Sequence, residues 1–284
     1  MSVTFYANSI QKIGFAAATE PTIVGETYTC SGGETTGVLY DLVDNRRTNV
    51  CTWDTNAQTV LTTVRIDTTT SLTATNCIID NHNLNTAGAV IDIEQGGTDV
   101  TLGTAFSGTL GTALSADSVG SVVTIGADGV TLINFTSAAD TQWEVEIGYS
   151  GGSFTSDITM GEILLASSFA PSFNPELQPT FGYDMPGSSF RESEGGQRYG
   201  FSTHTNDRRS WRMTWKYMSD SDKGLLEDIF LFTRGTRNPF YIDLSGPLGA
   251  ATPQLFYVRF MSDLKFTGLT KDAWQVTVDI EEEI

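Results

Sequence analysis

The residues of this chain that could do chemistry are few in kind: two histidines, three cysteines and a large stock of carboxylates. His82 stands in Asn81-His82-Asn83-Leu84 and His204 in the polar run Ser202–Asp207. Two imidazoles so far apart exclude a histidine-rich metal site, and a Ser–His–Asp triad has almost no candidate base. No GxSxG, HExxH or P-loop spacing occurs. Cys30, Cys51 and Cys77 are odd in number and lack CxxC spacing, which speaks against a zinc site or a disulfide framework. They read as reduced thiols of a protein folded in a cytoplasm, with a Cys30–Cys51 bridge as the alternative. Any two of the 34 acids could meet as a glycosidase pair, so inventory selects none. Loop aspartates could hold calcium, but no EF-hand-like spacing is present. The expectation is no catalytic residue, no metal and no cofactor.

Binding residues are easier to nominate. Asn81, His82 and Asn83 close a strand, and strand-end loops are where sandwich proteins bind, so with Trp53 they form a candidate ligand-contact set. The other reading gives Asn and His to turn geometry and strand capping. Arg208, Arg209 and Arg212 form a candidate docking interface for an acidic neighbour, or else they pair with acids of their own domain. The formal net charge of −18 divides into −13 over residues 1–159 and −5 over 160–284. Phosphates would be repelled by so acidic a front half, which argues against nucleic acid as a partner. No run nears the roughly 18 apolar residues of a membrane span, and the opening residues lack the basic start and apolar core of a signal peptide.

The elements that must position these residues are mostly strands. Residues 1–59 read as an N-terminal extension or the first strands of a front domain. From Val60 the strand signals follow closely: Val60–Ile66, Leu72–Ile79, Val90–Ile93 and Val100–Leu102. A hairpin is expected from Val122–Ile125 to Val130–Ile133, then an alternating strand with Trp143, Val145 and Ile147. Many short strands with Gly/Asn/Asp turns predict a jelly-roll or other β-sandwich over residues 60–155. Residues 156–187 read as an extended proline-rich connection. Residues 188–284 read as a β-rich docking domain with one main helix at about 219–234. There Trp211, Met213, Trp215 and Tyr217 alternate with polar residues, which places them on one strand face. Ser219 can cap the helix, and Leu225, Leu226, Ile229, Phe230 and Phe232 give it an apolar stripe. Gly235 suits the left-handed turn that ends it. Trp211, Trp215, Leu226, Ile229 and Phe230 are expected in one core cluster.

The rear pattern of Gly195-Gly196-Gln197, then Arg209–Trp215, then a helix ending Leu231–Gly235, then Phe240-Tyr241-Ile242, resembles tail-associated structural proteins of tailed bacteriophages. So does the ending Tyr257–Phe260, Leu264–Phe266 and Trp274–Val276. The front stretch, with Ile78–Leu84 and Trp143–Ile147, resembles the jelly-roll modules of such virion proteins, which are similar to carbohydrate-binding sandwiches. The resemblance implies a non-enzymatic subunit of a tail tip, baseplate or tail fibre, assembled in the host cytoplasm and located in the virion tail. Its implied partners are other phage tail proteins and copies of itself in a symmetric oligomer. A receptor-binding module for a host surface glycan is the alternative, and a polysaccharide-degrading tail enzyme a more remote one.

Overall fold

The computed structural model describes residues 3–8, 22–24, 34–36, 42, 46–57, 62–96, 123–149, 151–175, 180–184, 189–192, 194, 197–201, 208–250 and 252–283. The chain is mainly β and forms two compact units, a front one of Asn8–Ser168 and a rear one of Met1–Ala7 with Phe169–Ile284. The first strand, β1 (Thr4–Asn8), thus starts in the rear unit and not in a front extension.

In the front unit, β2 (Thr22–Val24), β3 (Glu34–Thr36) and β4 (Cys51–Trp53) precede the long β5 (Thr62–His82). Then come β6 (Ala89–Gly96), β7 (Val123–Thr124), β8 (Gly129–Tyr149), β9 (Ile158–Met160) and β10 (Glu162–Phe169). One sheet runs β10-β5-β8-β6-β7, with β2 also paired to β5, and a second runs β3-β4-β9. Cys51, Trp53, Ile158 and Met160 of the small sheet share one buried cluster with Val64, Ile66, Ile91, Trp143, Val145 and Ile163 of the large one. Two sheets over one core make a sandwich.

Three expectations change here. The stretches Val60–Ile66 and Leu72–Ile79 belong to one strand, as do Val130–Ile133 and Trp143–Ile147. The register between β5 and β8 shifts between Asp67 and Leu72 and again between Ala74 and Asn76, so no single period runs through them. The Thr/Ser-rich run between the apolar stretches of β5 is β-branched and extended, not a turn. The 122–133 hairpin does not form, because β7 pairs with β6 through Val90↔Thr124. Within the stretch expected as a connection, residues 158–168 carry two strands of the front unit, for Ile163↔Ile79 and Trp53↔Ile158 place them in its two sheets, and the rear unit begins at Phe169. Ile163 to Ala166 are buried without alternation, the mark of a strand covered on both faces.

In the rear unit, β11 (Thr180–Asp184) precedes a separate hairpin of β12 (Ser189–Glu192) and β13 (Arg198–Phe201). After it come β14 (Arg208–Met218), α1 (Asp220–Phe232), β15 (Phe240–Asp243) and a four-residue α2 (Ser245–Leu248). The chain closes with β16 (Leu255–Phe260), β17 (Phe266–Thr270) and β18 (Ala273–Glu282). The sheet order is β11-β14-β18-β16-β15-β1, with β17 also on β18. Trp211, Trp215, Leu226 and Ile229 are buried together, and Phe230 and Phe232 pack half-buried against them. Leu225, expected on the apolar stripe, is exposed.

The helix is held at both ends. The Ser219 hydroxyl accepts the Asp222 N–H (3.1 Å). At the other end Gly235 N–H donates to Phe230 O (2.8 Å) and Arg234 N–H to Leu231 O (3.0 Å). That pair of bonds is a Schellman stop, so Arg234 (φ 53°) occupies the left-handed position expected for Gly235, which follows it at φ 70°.

Candidate functional site

The front-unit residues do not assemble into a contact face. Trp53 is wholly buried in the core and offers a ligand no surface, which corrects its place in the candidate set. His82 is buried as well. Its Nδ1 accepts the Leu84 N–H (3.2 Å), so the proton sits on Nε2, which reaches the Thr131 hydroxyl at 2.9 Å. Burial pushes its pKa below the ordinary imidazole value, against the charges of Asp128 and Asp80. Asn83 donates to Asp157 O (2.7 Å) and accepts Thr159 N–H (2.8 Å), tying β9 to the end of β5. Asn81, exposed at φ 52°, donates to Arg47 O (2.7 Å). Turn geometry and loop anchoring take up these side chains. Cys77 is likewise buried, its thiol pushed up to about 12 by desolvation, and Cys51 is buried, while its proposed partner Cys30 lies outside the described residues.

The rear arginines meet carboxylates of their own unit. Arg208 pairs with Glu281 (3.4 Å), Arg209 with Glu282 (2.6 Å from Nε), and Arg212 with Asp279 through two bonds of 2.6 and 3.0 Å. All three pairs cross the β14–β18 ladder, where Arg212 stands opposite Asp279. The Arg209 guanidinium also lies 4.5 Å from the Phe256 ring centroid. Of the two roles weighed for these residues, pairing within the unit is the one the geometry displays.

A different feature of β14 makes a site. Its register against β18 runs Trp215↔Val276 and then Met218↔Trp274, so Lys216 and Tyr217 together oppose Gln275. This is a β-bulge, which shifts the side-chain phase by one residue. Met218 therefore enters the core, and Tyr217 turns outward. Tyr217 (65% exposed) and Phe173 (59%) are the two most exposed large hydrophobic side chains among the described residues. Both line one groove of about 590 Å³, with Met218, Ala273 and the polar Asn174, Lys216, Ser219 and Asp272.

The lip carrying Phe173 is anchored from below. Trp215 Nε1 donates to Phe173 O (2.9 Å), and Ser172 donates through N–H and hydroxyl to Asp222 (3.1 and 3.2 Å). Asp272 (φ 62°), another lining residue, has its pKa raised by desolvation, then by a hydrogen bond with Asp220 and by that group's charge. The Trp274 indole N–H donates to Asp220. Two open aromatic faces beside amide, hydroxyl, ammonium and carboxyl groups can stack on an apolar ring face while bonding its polar edge. Sequence reasoning missed the groove because strict alternation placed Tyr217 inside.

No protein-family model and no curated protein matches the sequence. Among solved structures, a chitosan-binding module from a chitosanase/glucanase of Paenibacillus sp. IK-5 shares 12% identity at a TM-score of 0.37, covering 57% of this chain and 99% of the module. A CBM32 module of a family 31 glycoside hydrolase from Clostridium perfringens shares 16% at 0.35, covering 52% and 95%. A pectin-binding carbohydrate-binding module shares 10% at 0.33, covering 51% and 93%. Likenesses this weak fix neither a fold nor a ligand.

Proposed function

We propose that this protein is a non-catalytic glycan-binding subunit of a bacteriophage tail, and that its ligand lies along the Phe173–Tyr217 groove. One observation carries the glycan reading: a bulge turns an aromatic out of the core, and with a second exposed aromatic it lines a groove edged by polar side chains. A pyranose ring has the matching surfaces, an apolar C–H face that stacks on an aromatic ring and a rim of hydroxyls that needs donors and acceptors. The reading moves the site from the front unit to the rear one. The tail assignment draws its support from the phage-like sequence patterns, several of which meet in one sheet: β14, β15, β16 and β18 are neighbours, and α1 packs on their core face.

The test is a glycan array followed by calorimetry on the best ligand. Tyr217→Ala and Phe173→Ala should leave the fold intact, since exposed substitutions change stability by only about 0.5 kcal/mol. Each should weaken binding about tenfold, the equivalent of one aromatic contact of about 1–1.5 kcal/mol. No reducing ends should be released from the bound polysaccharide. Undiminished binding by both variants would refute the site, and a wild-type protein that retains no glycan would refute the function.

A further inference from the structure

Part of the lining of the aromatic groove comes from the start of α1 and from a hairpin turn. Ser219, the cap of α1, contributes to it together with Asp272 and Ala273. Lys271 and Asp272 are the two residues between Thr270 and Ala273, the last pair of the β17–β18 ladder. Met218↔Trp274 is the last pair of β14 with β18, so the turn reaches past the end of β14 and, among the described residues, is paired by β17 alone. A hairpin end held along one edge opens easily unless a further contact fixes it.

The first turns of α1 supply that contact through Trp274. Gly268 stands opposite Trp274, and a Cβ there would lie 3.4 Å from its Cζ3, so the indole packs close over the glycine. Lys223 Nζ lies 4.9 Å from the Trp274 ring centroid and 5.1 Å from that of Phe266, its diagonal neighbour on β17. Glu227, one turn further along α1, pairs with the same ammonium at 2.7 Å. One turn before Lys223, Asp220 accepts the indole N–H and hydrogen-bonds with Asp272. One stretch of helix therefore grips the hairpin at an aromatic ring and at the tip of its turn.

We infer that Lys223 is a positioning residue of the glycan groove, and that through Trp274 it sets the turn from which Asp272 meets the sugar hydroxyls. The inference rests on the glycan reading of the groove and adds to it a residue outside the lining. A carboxyl group bonds a hydroxyl only within about 3 Å, so its use depends on where the turn holds it. Lys223 acts before the ligand arrives. A turn already in its bound position spares the cost of ordering it, and apparent affinity scales with the fraction of molecules so prepared.

Hydrogen exchange of the full chain and its chemical-shift titration with methyl β-D-glucopyranoside, followed at the Tyr217 and Ala273 amides, test it together. Lys223→Met keeps the length of the side chain and removes its charge, whereas Lys223→Arg keeps a cation over the rings. In Lys223→Met the Asp272 and Ala273 amides should exchange faster, with the core amide of Val278 unchanged, and the Kd should rise about threefold or more. Lys223→Arg should restore both exchange and affinity to within about twofold of wild type. Equal exchange and binding by wild type and Lys223→Met would overturn the inference and leave the glycan groove standing. Failure of Lys223→Arg to restore affinity would also overturn it, since a role in packing alone gives that result. A wild type that binds no sugar, with the exchange difference intact, would refute the glycan reading and with it the part of Lys223 in binding.

Discussion

Trp215 links the core of the rear unit to its groove, and its replacement separates the two contributions. The side chain is fully buried, its ring is 6.2 Å from that of Phe5, and its N–H holds the Phe173 carbonyl at 2.9 Å. Trp215→Ala removes the apolar volume and leaves a cavity, which costs about 3–5 kcal/mol. The lost hydrogen bond adds about 0.5–1.5 kcal/mol, at the lower end because Phe173 lies where water can replace the donor. Trp215→Phe keeps most of the buried ring and loses the bond, so it should cost about 1–2 kcal/mol. Urea denaturation measures both, and hydrogen exchange of β14 peptides shows whether the loss falls in the rear unit. Trp215→Phe should also weaken glycan binding, since the lip carrying Phe173 loses its anchor. A loss below 1 kcal/mol for Trp215→Ala, or equal losses for the two variants, would refute this packing.

His82 should make the front unit acid-sensitive. Its folded pKa lies below the ordinary value of about 6.5, so as pH falls through 6.5 the unfolded chain takes up the proton first. Stability is then complete above 6.5 and declines towards the folded pKa, by at most about 1.4 kcal/mol per pH unit. Thermal melts between pH 7.5 and 5.5 should show the decline, and His82→Gln should flatten it; an unchanged slope in the variant would assign the effect elsewhere. Gly161→Ala should cost about 1–3 kcal/mol, because its Cβ would lie 2.5 Å from Arg47 O and 2.9 Å from Asn81 Cβ. Gly126→Ala, with nothing within 4 Å, is the control, and equal melting of the two variants would contradict the close approach.

The sequence alone determined the features that depend on neighbours along the chain. Apolar alternation and β-branched runs marked the protein as mainly β, and Ser219, Asp222 and the stripe through Leu226 and Ile229 located its one main helix, because caps and periodicity act within a few residues. What depends on register was decided by the tertiary structure. One extra residue opposite Gln275 sent Tyr217 outward and Met218 inward, and no local pattern announces a bulge. The union of β1 with the rear unit rests on the pairing of Thr4 with Asp243, far along the chain. Arg208, Arg209 and Arg212 found their carboxylates on β18 only because the ladder placed them opposite. The groove joins Phe173, Tyr217 and Asp272 from three separated segments. The β14–β18 pairing sets Tyr217 near the turn that carries Asp272, and the hydrogen bonds of Trp215 and Asp222 bring in the segment of Phe173, all of them long-range contacts.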